Sequence, residues 1–511
     1  MLQIKNLTIT HQKDFKTLLD DFSLVLNDGD KAVVIGEEGN GKSTLLKWIY
    51  DPRLVASYTE SRGERVLGSE RLAYLPQELP AADADKSVYE FFSEGDGFYD
   101  LTPGARSRLA ADFGVSPAFF YREQPMRTLS GGEKVKAQLM RILTSAPTVL
   151  LLDEPSNDVD LATLALLERV IGAWKHIVLY ISHDETLIEQ TANTVIHIEQ
   201  LMRKTKPRCT VARMPYRQYL SQRERQFAHQ AQQALSDRRE KRQRDEKLQR
   251  IEQSVAYAQA TISRQAPHTA ALLKKKMHTV KSMERRFAKE DEQMTALPQQ
   301  EDVIFFRFHE SGGIPAGKTV LLYHLDTLCA PDGTPLAENI DLSVRGPERL
   351  CIVGANGAGK TTLLRLLAQE LMQRADLHAE YMPQDYDELL DLDCTPVELL
   401  NRSGSADERT WVSTCLGALR YTTDEMSHPI RALSGGQRAK LLLLKMSLSG
   451  ANVLLLDEPT RNFSPLSGPV IRRMLAEFPG AILSVSHDRK FIDEVCTRVL
   501  RLDATGLHPL R

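Results

Sequence analysis

Two lysines, each closing a glycine-rich loop, are the residues best placed to hold phosphate. Lys42 lies in GEEGNGKST (Gly36, Glu37, Glu38, Gly39, Asn40, Gly41, Lys42, Ser43, Thr44), and Lys360 lies in GANGAGKTT (Gly354, Ala355, Asn356, Gly357, Ala358, Gly359, Lys360, Thr361, Thr362). A GxxxxGK[ST] loop between a strand and a helix wraps phosphate oxygens in backbone N–H groups, neutralises them with its lysine and offers a hydroxyl to magnesium. Two LLLDEP runs supply paired carboxylates, Asp153 with Glu154 and Asp457 with Glu458, where a strand ends. The carboxyl ends of strands are where open α/β sheets place ligands. In each pair the aspartate suits magnesium and the glutamate suits orienting and deprotonating a water. Gln77 in YLPQ and Gln384 in YMPQ are set to reach the metal or that water, and His183 (YISHD) and His487 (SVSHD) close a later strand. Together these residues are suited to hydrolysing a magnesium-bound nucleoside triphosphate, with Ser43, Gln77 and Asp153 toward one metal and Thr361, Gln384 and Asp457 toward another.

LSGG adds what a generic phosphate-binding loop lacks. Ser130, Gly131 and Gly132 precede the helical pattern EKVKAQLMRIL, and Ser434, Gly435 and Gly436 precede QRAKLLLLKMSL. A serine and successive glycine N–H groups before a basic helix form an anion-binding terminus suited to a γ-phosphate. A module's own glycine loop already holds that nucleotide, so the signature serves a partner module; read alone, LSGG is equally a helix cap. The motifs recur in order and in register. Ser130 to Ser434, Glu154 to Glu458 and His183 to His487 are each 304 residues apart, while Lys42 and Lys360 are 318 apart. Two ATPase modules therefore share one polypeptide.

Elements must position these groups. KAVVIG and RLCIVG read as buried strands entering the glycine loops, and STLLKWIY and TTLLRLLAQEL read as the helices that follow. LQIKNLTIT, FSLVL and NIDLSV alternate as half-buried strands do. At 511 residues, 42% hydrophobic and 26% charged, the chain has room for two cores plus a spacer. No apolar run approaches the roughly 20 residues that span a bilayer, so the chain is not itself a channel. The start MLQIKNLTIT has no export pattern, and cytoplasmic residence is expected. Six scattered cysteines form no CxxC pair and read as reduced thiols.

The spacer differs from both modules. Residues 221–290 carry 17 Lys and Arg against 8 Asp and Glu, although the whole chain has a net charge of −3. Pro267 is the sole glycine or proline from 220 to 295, which favours two long helices and one turn, with the tip near Ser263 to Ala271. Leu248, Ile251, Val255 and Ile262, and then Leu273, Met277, Val280, Phe287 and Met294, fall near a seven-residue repeat. About 40 residues per helix would reach roughly 60 Å. No acid occurs from Ser254 to Met283, where Arg264, Lys274, Lys275, Lys276 and Lys281 stand. On a helix such a run is commonly a solvated face; one-signed at a hairpin tip, it suits RNA phosphates, with Tyr257, Pro267, His268, Leu272 and Leu273 available to press on bases or peptide.

These ordered motifs resemble ATP-binding-cassette proteins over both modules. Tandem cassettes without membrane segments, joined by a basic hairpin, are similar in particular to the ABC-F subfamily. The resemblance implies an α/β fold of two ABC ATPase domains (1–205 and 301–511) joined by a helical-hairpin linker (206–300). It implies two composite ATP–Mg2+ sites within a monomer. One joins Lys42, Gln77, Glu154 and His183 to Ser434; the other joins Lys360, Gln384, Glu458 and His487 to Ser130. It also implies a ribosome partner, with the hairpin near the P-site tRNA and the peptidyl-transferase centre. The role would be antibiotic resistance by ribosome protection, with a housekeeping translation factor, an exporter's ATPase subunit and a chromosomal or repair ATPase as alternatives. PSNDVD follows the family's PxNxxD pattern through Asp160, whereas PTRNFS places Arg461 and Ser464 at the asparagine and aspartate positions, so unequal sites are expected. Phe15 is a candidate for stacking on adenine.

Overall fold

The computed structural model describes residues 1–95, 97–201, 205–261, 267–292 and 313–510, with 259–261, 267–271, 273, 288–290 and 292 described by backbone alone. The first half contributes β1 (Leu2–His11), β2 (Thr17–Leu26), β3 (Lys31–Ile35), β4 (Thr59–Val66), β5 (Leu72–Leu75), β6 (Val149–Asp153), β7 (Ile177–Ile181), β8 (Thr194–Gln200) and β9 (Lys206–Ala212). The second contributes β10 (Thr319–Cys329), β11 (Pro335–Arg345), β12 (Arg349–Val353), β13 (Ala379–Met382), β14 (Val453–Asp457), β15 (Ala481–Val485), β16 (Arg498–Asp503) and β17 (Gly506–Pro509).

The sequence repeat is a fold repeat. One six-stranded sheet runs β5-β6-β7-β3-β8-β9 and the other β13-β14-β15-β12-β16-β17, the same order strand for strand. In each, the last strand alone is antiparallel. VLLLD, IVLYI and AILSV are buried at every position, as parallel strands covered on both faces require. β1 lies between β2 and β4 in a separate antiparallel sheet, and β10 pairs with β11 in its counterpart. Between the two sheets of the first half lies a core in which Leu2, Ile4 and Leu24 meet Val34, Leu151, Leu179 and Leu45. In the second half Val320, Ile340 and Leu342 meet Ile352, Leu455 and Leu363. On the other face of the second sheet, Leu441 to Leu444 of the signature helix pack with Leu454, Leu456 and Cys351. Each leucine so buried contributes roughly 2 kcal/mol. All six cysteines are free thiols.

Residues 1–216 and 301–511 form one compact unit, and 217–300 form another. The second unit is an antiparallel pair of helices, Tyr216–Thr261 and Pro267–Glu292. Lys241 pairs with Asp291 at 2.7 Å, Arg244 also pairs with Asp291, and the Arg244 guanidinium lies 4.4 Å from the centre of the Phe287 ring. Val255 and Val280 are buried at 5% and 3% exposure. The first helix has 46 residues, longer than the spacing suggested, and at 1.5 Å each would measure about 69 Å. Ile251 is a correction to the seven-residue pattern: it is 44% exposed, while Leu248, Met277 and Phe287 are half-buried. Lys274, Lys275, Lys276 and Lys281 are exposed, as are Tyr257 and Leu272. Arg264, Ile262 and Met294 lie outside the described residues, as do the side chains of Pro267, His268 and Leu273. Among the described residues no helix is long and apolar enough to cross a membrane.

Candidate functional site: two unequal nucleotide sites

Both glycine loops lead from a buried strand into a helix, Lys42–Tyr50 or Lys360–Met372. Gly41 and Gly359 precede these helices at φ 89° and 92°, and a Cβ there would stand 3.0 Å and 2.8 Å from Leu18 and Leu328 side-chain atoms. Only glycine meets both conditions without strain. Lys42 Nζ donates to the carbonyls of Gly36 (2.9 Å) and Glu37 (3.0 Å). Lys360 Nζ donates likewise to Gly354 (3.0 Å) and Ala355 (2.9 Å). Both ammonium groups are thus curled inside the loops whose N–H groups would wrap phosphate.

The glutamates share a strained backbone. Glu154 and Glu458 have φ values of 51° and 49°, the left-handed region that a residue with a side chain avoids unless its surroundings impose it. Their N–H groups donate to Ile181 O at 3.1 Å and Val485 O at 2.9 Å, fixing the turn at the end of each LLLD strand. Strain at the same repeat position in both halves marks these residues independently of their charge.

Their surroundings differ. Glu154 accepts from Gln77 Nε2 at 3.0 Å, from Asn157 Nδ2, and from His183 Nε2 at 3.2 Å. His183 Nδ1 faces the Phe463 carbonyl of the other half at 2.6 Å. The ring thus lies between two acceptors, a carbonyl and a carboxylate. Burial pushes the Glu154 carboxyl up, but hydrogen bonding to His183 and the charges of His183 and Lys42 prevail and pull it down to about 2. Among the described residues Glu458 accepts from the Ser486 hydroxyl and the His487 N–H alone, each at 3.3 Å. Burial and the neighbouring Asp457 push it up to about 8. His487, also buried and beside Lys360, is pushed down to about 4, and among the described residues neither ring nitrogen has a hydrogen-bond partner.

The groups that satisfy Glu154 have counterparts, and these point elsewhere. Gln384 Nε2 donates to Asp158 Oδ1 at 3.1 Å, and Arg461, at the position of Asn157, donates to Asp158 Oδ2 at 2.6 Å. Asn356 Nδ2 donates to the Asp158 carbonyl at 2.6 Å. Asp158, in the loop after Glu154, thus draws polar groups of the second half across the interface and away from Glu458. The sequence reading did not single it out; the one available signal was its place inside PSNDVD.

A cavity of about 1200 Å3 along the interface gathers Lys360, Thr361, Gln384, Asp457, Glu458 and His487 with Ser130 and Gly131 of the first half, and extends to His183 and Gly435. Both oxygens of Asp457 are buried, with the Thr361 hydroxyl the side chain that lowers its carboxyl by hydrogen bonding. In the other site Ser43 Oγ donates to Asp153 at 2.8 Å and Tyr74 donates to its second oxygen at 2.9 Å. Burial raises both aspartate carboxyls. A buried carboxylate beside a hydroxyl and a neutral imidazole, around a cavity with a lysine, fit a magnesium-bound triphosphate. Ser130 and Ser434 cap the helices Gly131–Thr144 and Gly435–Ser449 in reciprocal capping boxes with Glu133 and Gln437. The signature is therefore a helix cap as well as part of a cleft. Ser434 and its glycines face the first half through Glu38, whose Oε2 accepts from Gly436 N at 2.5 Å. Phe15, the candidate for adenine, is 82% exposed in the turn between β1 and β2.

Ion pairs join the halves between the two sites. Arg472 meets Glu185 at 2.7 Å, both almost fully buried, and Arg489 meets Glu168 at 2.5 Å and Asp184 at 3.4 Å. Lys490 reaches Glu185 at 3.1 Å and also pairs with Glu189. All the acids come from the first half and all the bases from the second.

The repeated sheet, the paired glycine loops and the interleaved signatures define a tandem-cassette ATPase. The family model described as ABC transporter matches residues 19–157 and 337–461, and the chain belongs to that family. It hydrolyses ATP, and its whole-length relatives are ABC-F proteins. The ribosome protection protein VmlR of Bacillus subtilis (strain 168) is 27% identical over 99% of this chain and 88% of its own. ATP-binding cassette sub-family F member 2 of Mus musculus is 26% identical over 98% and 79%. The archaeal ribosome recycling factor aABCE1, solved with the stalk protein aP1, shares the fold with a TM-score of 0.60 at 17% identity, over 99% of this chain and 90% of its own.

Proposed function

We propose that this protein is an ATP-gated factor of the cytoplasm that binds the ribosome as a monomer. ATP would close the cassettes, and the basic hairpin would seat beside the P-site tRNA near the peptidyl-transferase centre. Hydrolysis would then release the factor. The functional division is first cassette, helical linker, second cassette. Lys42 and Lys360, with the N–H groups of their loops, hold the phosphates, and Ser130 and Ser434 with their glycines cover the γ-phosphate from the opposite cassette. Ser43, Gln77 and Asp153, and likewise Thr361, Gln384 and Asp457, hold magnesium, which when bound neutralises charge developing on the phosphate oxygens. Glu154 and Glu458 orient and deprotonate the attacking water, and His183 and His487 contact the γ-phosphate. Glu458 must lose its proton before it can serve as a base.

The observation that carries the ribosome reading is the row of exposed lysines, 274 to 276 and 281, on a helical pair unlike anything in the cassettes. A one-signed surface of this kind binds nucleic-acid phosphates in a salt-dependent way. The name of VmlR and its coverage of nearly the whole chain favour ribosome protection over an exporter subunit, which would leave the basic pair without a role. Glu154→Gln combined with Glu458→Gln should retain the chain on ribosomes in ATP; a double variant that stays in the soluble fraction of a gradient contradicts the reading. Expression in a drug-sensitive host should raise tolerance to inhibitors of the large ribosomal subunit. No gain with any of them would turn the assignment to a translation factor.

A further inference from the structure

Ser464 occupies the place of Asp160, yet the acid is not missing from its neighbourhood. In the first cassette Asp160 Oδ1 accepts from Thr163 N at 2.9 Å and caps the helix Leu161–Ala173. Burial raises its carboxyl, but the Thr163 hydrogen bonds and the charge of Lys136, one turn into the signature helix, lower it overall. In the second cassette Ser464 Oγ keeps the turn, accepting from Ser467 N at 3.3 Å, but brings no charge for Lys440, the counterpart of Lys136. Lys440 is 7% exposed, and a buried ammonium without a carboxylate is costly.

The charge comes from the other cassette. Lys440 Nζ donates to Glu37 Oε2 at 2.9 Å, and the Ser464 and Ser467 hydroxyls donate to Glu37 Oε1 at 3.3 and 3.0 Å. Beside it, Glu38 takes the Gly436 N–H at the start of the signature helix. The Lys360 loop has Ala355 where the Lys42 loop has Glu37, so the exchange is reciprocal: aspartate with alanine at one site, serine with glutamate at the other.

We propose that Glu37 is a positioning residue that supplies, from the first cassette, the carboxylate absent at Ser464, and so clamps the Lys42 loop to the Lys440 helix before any nucleotide arrives. The Lys42 loop is then held by a buried acid–lysine pair, whereas the Lys360 loop crosses the interface through Asn356, with no carboxylate of its own. The inference rests on the paired ATPase cassettes and not on the ribosome reading, and no part of its test involves ribosomes.

The test uses the full chain with Glu37→Ala, Ser464→Asp and both together, the double variant rebuilding at the Lys42 site the alanine and aspartate of the Lys360 site. A dye pair across the cassettes reports closure without nucleotide, and thermal melting reports whether Lys440 is satisfied. Each single substitution is expected to open the nucleotide-free chain and lower its melting temperature, the first by removing the acid and the second by crowding two carboxylates on one lysine. In the Glu37→Ala chain the Mg-ATP concentration for half-closure should rise about tenfold. The double variant should recover the melting temperature and stay open, since its acid no longer crosses the interface; a merely structural glutamate would not separate the two readouts. A Glu37→Ala chain that remains closed without nucleotide, or a double variant whose melting loss equals the sum of the two, overturns the proposal. Should Glu37→Ala fail to fold, Glu37→Gln keeps the shape, removes the charge and is read by the same criteria.

Discussion

The Lys42 and Lys360 sites are built from the same motifs in the same order, and they differ in what their polar groups already bind. At the Lys42 site Glu154 is ionised and held by Gln77, Asn157 and His183, while Glu37 and Glu38 bind the facing signature helix. At the Lys360 site burial pushes Glu458 up to about 8 and His487 down to about 4, and among the described residues neither ring nitrogen of His487 has a hydrogen-bond partner. The lesson is that motif identity fixes which groups are present, while the variable positions inside the same loops decide their protonation and partners. Asp158 and Glu37 are the two residues that produce most of the difference.

Removing the shared frame should have the largest effect, because both sites depend on it. Arg472→Ala leaves Glu185 buried with Lys490 as its remaining cation and should cost about 3 kcal/mol of stability. Chemical denaturation measures this, and a loss below about 1 kcal/mol would mean that the interface ions are replaceable by water. A smaller and local effect is expected at Asp158. Asp158→Asn removes the charge that holds Arg461 and weakens the hold on Gln384, so both can turn to Glu458 as Asn157 and Gln77 do to Glu154. In an E154Q background the acid limb of the turnover profile should move down by about one pH unit. An unmoved limb would separate Asp158 from the state of Glu458.

The two glutamates should also act oppositely on stability without nucleotide. A carboxyl raised to about 8 contributes stability that is present in full below its unfolded value near 4.5 and is lost as pH rises through 8. One lowered to about 2 contributes stability present above 4.5 and lost as pH falls through 2. Glu458→Gln should therefore gain on the parent in melting temperature between pH 5.5 and 8.5, whereas Glu154→Gln should lose at both. Parallel curves for the two variants would erase the comparison.

The frame of these sites was legible from residues alone, because β6 and β14 are uninterrupted apolar runs and the loops ahead of Lys42 and Lys360 tolerate little besides glycine at Gly41 and Gly359. That a signature serves the partner module follows from its logic, while the pairing of each lysine with a particular serine came from the family resemblance. Partner choice was not legible. Glu37 and Glu38 read as phosphate-loop residues, and nothing local shows that their side chains turn toward Lys440 and Gly436, some 400 residues away. Gln384 looks equivalent to Gln77, and Arg461 stands out from Asn157, but nothing local shows that both turn to Asp158. In the helical pair, a seven-residue spacing cannot tell which of several apolar positions faces the partner helix, and Ile251 is left facing water.

The central claim is that the two sites are unequal, the Lys42 loop being clamped through Glu37 and turnover being supported chiefly by the Lys360 site. The direct measurement is steady-state ATP hydrolysis by Glu154→Gln and Glu458→Gln as single substitutions. The account predicts that Glu458→Gln costs about 100-fold, the order expected for loss of a general base, while Glu154→Gln stays within about threefold of the parent. Equal losses, or a larger loss from Glu154→Gln, would contradict it.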